Sequence, residues 1–180
     1  EVGLPDGVAN IVTGAGDTGR FLAEHKLVNK VAFTGSTEVG KLLMRETAGT
    51  GKKLTLELGG KSANIIFADA AIDQAVEGII SGIYFNQGHV CCAGSRLFVE
   101  ESILEEVIHK LTQRLGSLRI GDPLDKNTDL GAINSQSQLE TVERYITSGI
   151  KEGAQLHKAN EQRLPSKGYW CNPCFFTDVQ

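Results

Sequence analysis

The sequence predicts an α/β fold with a parallel sheet. Residues 1–60 alternate short β-rich runs with helical segments, which is the pattern of parallel strands joined by crossover helices. Two glycine-rich turns lie where a predicted strand gives way to a helix. Farther along, three segments carry apolar residues at helical spacing, and they predict amphipathic helices that pack on a sheet.

The first part of the chain is predicted to contain three strands and two helices. The strands lie at residues 8–13, 31–34 and 54–58. The first helix follows a turn at residues 14–19 and ends near His25, and the second runs from Ser36 to about Ala48.

A second block begins after Gly59 and Gly60 and repeats the strand–helix–strand order. The strand at residues 64–67 leads into a helix that we expect to be capped by Asp69 and to end near Phe85. Its apolar face consists of Ile72, Val76, Ile79, Ile80 and Ile83. A loop at residues 85–96 connects it to the strand at residues 97–99.

The remaining residues predict two amphipathic helices and two extended segments. The helices begin near Ser102 and Ser135, and Gly116 ends the first of them. The other segments are a short strand at residues 154–157, a polar loop at 158–168 and an extended run at 169–176. Pro173 cannot donate a ladder hydrogen bond, so we do not expect that run in the middle of a sheet.

Composition excludes several classes of protein. The chain has 180 residues and a formal net charge of −4, so it offers no basic surface for nucleic acid or anionic membranes. No apolar run reaches the length of a membrane span. An acidic chain with few cysteines predicts a reducing, cytoplasmic location. Because it opens on Glu1 and not on Met, we expect a central segment of a longer protein.

The four cysteines fall into two pairs. Cys171 and Cys174 form a CxxC motif, but a zinc site needs a second ligand pair, which the histidines do not supply at a suitable spacing. We therefore predict no metal. Cys91 and Cys92 lie in a loop of small residues between a helix and a strand, where a thiol is suited to act as a nucleophile. A buried, structural role is the alternative.

Each glycine-rich turn is a candidate phosphate site. Residues 14–19, GAGDTG, match the GxGxxG pattern, but the next strand ends without the acidic residue that binds ribose, so a tight turn is the alternative. Residues 33–40, FTGSTEVG, combine Gly35 for close approach of a ligand, Ser36 as a cap and a helix N-terminus that favours anions. A well-capped helix without a ligand is the alternative there.

Glu57 is a candidate general base. It lies near the end of an apolar strand, between Leu56 and Leu58, so we expect partial desolvation that suits it to accept a proton near neutral pH. Because ligands bind at the carboxyl ends of parallel strands, Glu57, Gly35 and Cys91 are expected to serve one site. An ordinary surface carboxylate is the alternative.

Together these motifs resemble those of the NAD(P)-dependent aldehyde dehydrogenase superfamily. The resemblance covers nearly the whole chain, through GLPDGVANIV, VAFTGSTEVGK, LTLELGGKSANIIF, FNQGHVCCAGSR and the Gly-Asp-Pro at residues 121–123. It implies the second half of a Rossmann-like coenzyme domain at residues 1–58. Residues 59–180 would then begin the α/β catalytic domain of the aldehyde dehydrogenase fold.

The resemblance also implies a role for each matching residue. Cys91 would be the catalytic nucleophile, with Cys92 as its neighbour, and Glu57 the general base. The cofactor, NAD or NADP, would contact Gly16, Gly19, Phe33, Gly35, Ser36, Gly40, Leu58 and Gly59. At the position of His89 the family usually has Gln; a protonated His89 would favour the thiolate of Cys91, and a side chain that faces away is the alternative.

The implied reaction oxidises an aldehyde to a carboxylic acid through a thiohemiacetal and a thioester on Cys91. The amide that completes the oxyanion hole and the ribose-binding residues would lie outside this sequence. We therefore expect no turnover from this chain alone, and a homo-oligomer for the full-length protein. A CoA-acylating relative and a non-catalytic scaffold are the alternatives, and the presence of both Cys91 and Glu57 favours the hydrolytic enzyme.

Overall fold

The computed structural model describes residues 3–158 and 164–179 of the chain. The chain divides into two compact units, Glu1–Gly59 and Gly60–Gln180. Each unit contains a pair of parallel strands connected through a helix, so the predicted α/β fold class is confirmed. Within the described ranges, none of the helices has the length and apolar character that crossing a bilayer requires.

The first unit is built around one βαβ crossover. Its elements are α1 (Gly16–Glu24), β1 (Lys30–Gly35), α2 (Thr37–Thr47) and β2 (Lys53–Leu58). The strands β1 and β2 are parallel, and α2 connects them. Ser36 caps α2 as predicted, because its hydroxyl accepts a hydrogen bond from Val39 N at 3.2 Å.

The strand predicted at residues 8–13 is wrong. The segment pairs with no strand among the described residues, and it leaves Ile11 94% exposed. A β-rich run becomes a strand only where a neighbouring backbone pairs with its N–H and C=O groups. The residue types show a propensity for strand, but they do not show whether that neighbour exists.

The second unit begins with another βαβ crossover. Its elements are β3 (Ala63–Ile66), α3 (Ile72–Ile83), β4 (Arg96–Val99) and α4 (Leu104–Gly116). The strands β3 and β4 are parallel. The core lies between the two helices and includes Val76, Ile79, Ile80, Val107, Leu111, Leu115, Leu118 and Leu130. The apolar faces predicted for α3 and α4 thus pack against each other in this core.

The chain continues with a helix and an antiparallel pair of strands. These are α5 (Gln136–Lys151), β5 (Gln155–Lys158) and β6 (Cys174–Thr177). Ser135 caps α5 by accepting from Gln138 N at 3.3 Å. Strand β6 begins directly after Pro173 and pairs only with β5 among the described residues. Residues 159–163 of the predicted polar loop lie outside the described residues, and Lys158 belongs to β5.

The predicted N-terminal boundary of α3 needs correction. Asp69 does not cap the helix: it lies in a turn closed by Ala70 N donating to Phe67 O at 3.0 Å, and Ala71 is the N-cap residue. The helix ends at Ile83 with Tyr84 as its C-cap, close to the end predicted near Phe85. The chain changes direction at that point because the following residues leave the right-handed helical conformation, as described below.

Candidate functional site

Five of the predicted cofactor-binding residues lie in or beside the turn between β1 and α2. The two strands end side by side, with Gly35 in register with Leu58. The ring of Phe33 lies against Gly35, since a Cβ built on Gly35 would stand 2.3 Å from Phe33 Cζ. Gly40 packs as closely on β2, because its Cβ would stand 2.7 Å from Leu58 Cδ2. A side chain at either position would displace the Phe33 ring or the Leu58 side chain, so glycine allows this close packing where α2 begins at the end of the strands.

The start of α2 is a set of hydrogen-bond donors suited to an anion. The first N–H groups of a helix lack partners within it and lie at the positive end of its dipole. Ser36, Thr37 and Glu38 are all exposed at this end of α2. Their N–H groups and the Ser36 hydroxyl fit the phosphate groups of a dinucleotide.

The GxGxxG match forms the beginning of α1 and not a strand-to-helix turn. Thr18 N and Gly19 N both donate to Ala15 O, at 3.1 and 3.5 Å. No atom lies within 4 Å of a Cβ built on Gly16 or on Gly19, so the space beside these two glycines is open. The strand-to-helix turn expected here is therefore not present in the described backbone, and the open space is compatible with a ligand.

Glu57 is exposed, so the partial desolvation expected from its apolar neighbours is wrong. Side chains alternate along β2, and the half-buried Leu56 and Leu58 lie on the opposite face from Glu57. Apolar neighbours in a strand therefore do not shield the residue between them. Gly59, which follows the strand, is also exposed.

In the second unit, Cys91 and Cys92 occupy the central positions of a β-turn. Ala93 N donates to Val90 O at 3.1 Å and closes the turn. Both thiols are free and exposed, which contradicts the buried, structural alternative. Within the described residues, neither Cys91 N nor Cys92 N donates a hydrogen bond. The turn therefore presents a thiol beside unpaired N–H groups, which are the donors that stabilise a developing oxyanion.

The turn is anchored to its own unit from both sides. Ala93 is buried, and Gly94 N donates to Gly82 O of α3 at 3.3 Å. A Cβ built on Gly60 would lie 3.5 Å from Cys91 O, so the chain also runs close to the turn on its other side. These contacts fix the backbone of the cysteine turn while the thiols stay accessible.

The residues before the cysteine turn have an unusual backbone. The φ angles of Asn86, Gln87 and Gly88 are 49°, 54° and 75°, so three consecutive residues lie in the left-handed region. This conformation costs a non-glycine residue roughly 1–2 kcal/mol. A Cβ at Gly88 would also stand 3.1 Å from Ile83 O. The sequence predicted a loop here, and the structure shows that it contains a left-handed turn closed by hydrogen bonds between Asn86 and His89.

Sequence reasoning missed Tyr84, which connects the end of α3 to β6. Its hydroxyl donates to Cys174 O at 2.9 Å, across 90 positions of sequence. Burial, and to a lesser degree the neighbouring Cys174, raises the pKa of Tyr84 well above its ordinary value. No local pattern signals such a bond, because a partner at that distance in sequence is set only by the packing of α3 against β6.

Comparison with known proteins identifies the family. The model of the aldehyde dehydrogenase family matches residues 1–180. This chain belongs to the aldehyde dehydrogenase family. It is 48% identical to retinal dehydrogenase 2 of Mus musculus over 99% of its own length, and it covers 35% of that protein. The predicted family membership is therefore confirmed.

Solved aldehyde dehydrogenases share the fold. The chain matches an NAD-dependent aldehyde dehydrogenase of Sinorhizobium meliloti with a TM-score of 0.94 and 44% identity, over 99% of this chain and 36% of that one. It matches the NAD+ complex of the Bacillus cereus aldehyde dehydrogenase with a TM-score of 0.93 and 44% identity, again over 99% and 36%. The chain thus spans about a third of the length of these relatives.

His89 stands where the aldehyde dehydrogenase family usually has Gln. Its backbone forms hydrogen bonds within the turn that precedes the cysteines. His89 N donates to Asn86 O at 2.9 Å, and His89 O accepts from Asn86 Nδ2 at 3.0 Å. The side chain is exposed, and no hydrogen bond joins the imidazole to Cys91 in the described part of the chain. The structure favours the alternative in which this side chain does not touch the thiol.

The second cysteine pair, Cys171 and Cys174, is free and partly buried. Burial is the main cause that raises the pKa of both Cys171 and Cys174, in Cys174 to about 11. Redox-active CxxC motifs require the opposite, a thiol that ionises readily. Among the described residues, no cluster of three or more His, Cys, Asp or Glu side chains has the arrangement of a metal site.

Proposed function

We propose that the protein that carries this chain oxidises an aldehyde to a carboxylic acid with NAD(P)+, with Cys91 as its nucleophile. The observation that carries the proposal is the cysteine turn itself. It combines an exposed thiol, two unpaired N–H groups and a rigid anchorage, in a chain of the aldehyde dehydrogenase family. A thiolate attacks a carbonyl readily and forms an acyl thioester that water can then open.

The proposed reaction has two halves. The Cys91 thiolate bonds to the aldehyde carbon and gives a thiohemiacetal, whose oxyanion the N–H groups of the turn stabilise. NAD(P)+ held by the first unit would supply the hydride acceptor, and loss of hydride from the thiohemiacetal carbon would leave that carbon as a thioester on Cys91. Glu57 then takes a proton from water, whose oxygen attacks the thioester carbon. The carboxylic acid departs, and the Cys91 thiolate is restored.

The cofactor role rests on the first unit. The donors around Ser36 and the two close-packed glycines, Gly35 and Gly40, support binding of a dinucleotide phosphate. Phe33, Leu58 and Gly59 lie at the same ends of β1 and β2, and Gly16 and Gly19 have open space beside them. The Bacillus cereus relative is an NAD+ complex, which further supports NAD(P)+ as the cofactor.

The organisation of the full-length protein is also a proposal. Residues 1–58 complete the coenzyme-binding domain, and residues 59–180 begin the catalytic domain. We infer a cytoplasmic homo-oligomer, which the acidic, cysteine-poor composition and the family resemblance support.

Substitution of each cysteine in the full-length enzyme tests the nucleophile. Cys91→Ala should abolish aldehyde-dependent NADH formation, whereas Cys92→Ala, the matched control in the same turn, should retain most of it. Single-turnover absorbance at the NADH band measures both. Loss of activity in Cys92→Ala, with Cys91→Ala still active, would show that the neighbouring thiol is the nucleophile.

The role of Glu57 is tested by separating the two halves of the reaction. Glu57→Gln should keep the first burst of NADH and slow the steady state by about 10²–10⁴-fold, the usual contribution of a general base. Adding CoA discriminates the alternative, because an acylating enzyme would release acyl-CoA and depend little on Glu57. An unchanged steady-state rate in Glu57→Gln would remove it as the base.

A further inference from the structure

The left-handed turn at residues 86–88 sets the direction in which the chain enters the cysteine turn. Only residues 88–90 lie between Gln87 and Cys91, so a small backbone rotation at Gln87 changes the position of the Cys91 thiol. Asn86 closes the turn on itself, through the two hydrogen bonds that it exchanges with His89. That closure is local, so it shapes the turn but does not fix its position in the unit.

Gln87 supplies the connection from this turn to the core of the unit. The orientation of the Gln87 amide is assigned from its neighbours, because Gly131 N is a donor and Asn86 O is an acceptor. In that orientation Gln87 Oε1 accepts from Gly131 N at 2.7 Å, and Nε2 donates to Asn86 O at 3.3 Å. The side chain also lies close against Gly131, where a Cβ would stand 3.2 Å from the amide. Both groups of the amide are therefore used, one within the turn and one on the loop at Gly131.

The partner loop is itself held firmly. Leu130 is only 6% exposed and belongs to the core between α3 and α4. Gly121 N donates to Leu130 O at 3.0 Å, and Leu130 N donates to Arg119 O at the same distance. A hydrogen bond from Gly131 N to Gln87 therefore connects the turn to the residue next to Leu130, which is held in the core.

We propose that Gln87 is a positioning residue for Cys91. Its amide ties the left-handed turn to Gly131 and so holds the cysteine turn in the orientation that the reaction needs. This proposal rests on the proposed function, because it assigns Gln87 a role only if Cys91 is the nucleophile. Misplacing a reacting group by about 1 Å can cost about 10²-fold in rate, so one lost tether is enough to be measured.

Two substitutions in the full-length enzyme separate the amide from the backbone conformation. Gln87→Met keeps the length of the side chain and removes its hydrogen bonds. Gln87→Gly removes the side chain but readily adopts the left-handed backbone. Gln113→Met is the matched control, because Gln113 is exposed on α4 and its side chain makes no hydrogen bond within the described chain.

Two readouts are compared with the parent enzyme. The first is the rate at which iodoacetamide alkylates Cys91, resolved from Cys92 by peptide mass spectrometry and measured without substrate or cofactor. The second is the pair of steady-state constants, kcat and KM, for aldehyde oxidation. Gln87→Met and Gln87→Gly should each lower kcat about tenfold with KM nearly unchanged, and should change the ratio of Cys91 to Cys92 alkylation severalfold. Gln113→Met should match the parent in both.

The possible results decide between distinct explanations. Parental kcat and alkylation ratio in Gln87→Met would overturn the positioning role, even if Cys91→Ala stays inactive and the proposed function holds. A parental Gln87→Gly beside an impaired Gln87→Met would also overturn it, in favour of backbone conformation alone. If Gln87→Met fails to fold, Gln87→Gly carries the test. Full activity of Cys91→Ala would instead remove the proposed function.

Discussion

Replacing Tyr84 with phenylalanine removes one hydroxyl and leaves the ring in place. The lost hydrogen bond, from Tyr84 Oη to Cys174 O at 2.9 Å, connects the end of α3 to β6. A neutral hydrogen bond contributes about 0.5–1.5 kcal/mol net, and removing a donor from a partly buried carbonyl adds to the loss. We expect the local free energy of opening to fall by about 1–2 kcal/mol at pH 7, which is a factor of roughly 5–30 in the open population.

Hydrogen exchange on the full-length protein measures this loss where it occurs. Peptides that cover the end of α3 and β6 should exchange faster by that factor in Tyr84→Phe, while peptides from the first unit should not change. Tyr145→Phe is the matched control, because Tyr145 is 69% exposed on α5. Equal exchange in Tyr84→Phe and Tyr145→Phe would refute the role of this hydrogen bond.

Alkaline pH gives a second, independent readout of Tyr84. Its pKa is raised in the folded chain, so above pH 10, the ordinary value, the unfolded chain loses the phenolic proton first. The unfolded state then binds fewer protons, and stability falls as pH rises beyond 10, by up to about 1.4 kcal/mol per pH unit. Tyr84→Phe lacks this proton and should show a shallower decline than the parent. An equally steep decline in both proteins would show that folding does not raise the pKa of Tyr84.

Two further predictions concern the same unit. Leu115→Ala should destabilise the protein by about 3–5 kcal/mol, because Leu115 is fully buried, whereas Leu124→Ala at a 91% exposed position should stay within about 0.5 kcal/mol in the same urea titration; similar midpoints would contradict the core assignment. Burial raises the pKa of Cys174 from 9.0 to about 11, so the protonated thiol contributes stability that is complete below pH 9 and is lost as pH rises to about 11. Cys174→Ala removes this thiol and should therefore lose less stability than the parent between pH 9 and 11. An unaltered pH profile of Cys174→Ala would show that this thiol is not shielded.

The elements that the sequence predicted well are those set by short-range rules. Ser36 caps α2 as predicted, and the helix predicted to begin near Ser135 begins at Gln136 with Ser135 as its cap. The apolar faces of α3 and α4 meet in the core, because helical spacing places those side chains on one side. The glycines at 35 and 40 were recognised from their motif, and the structure adds the packing reason for each.

The errors arise where a long-range neighbour decides the outcome. Residues 8–13 have strand propensity and no pairing partner in the described chain. Glu57 has apolar neighbours in sequence, but the alternation of the strand puts them on the other face. For the turn at residues 86–88, Asn and Gly are known to tolerate left-handed backbone, whereas nothing local predicts it for Gln87.

By itself the sequence determined the α/β class, the order of the motifs, the family and the residues that carry the proposed chemistry. The class and the element order depend on periodicity, caps and residue types within a few positions of each other, whereas the family and the residues of the proposed chemistry were inferred from the resemblance of short motifs. Only the tertiary structure decided that Cys91 stands in an exposed turn, that Glu57 faces solvent, and that Gln87 and Tyr84 reach Gly131 and Cys174. Exposure and contacts across tens of residues depend on which surfaces pack together, and no local pattern in a single sequence specifies that.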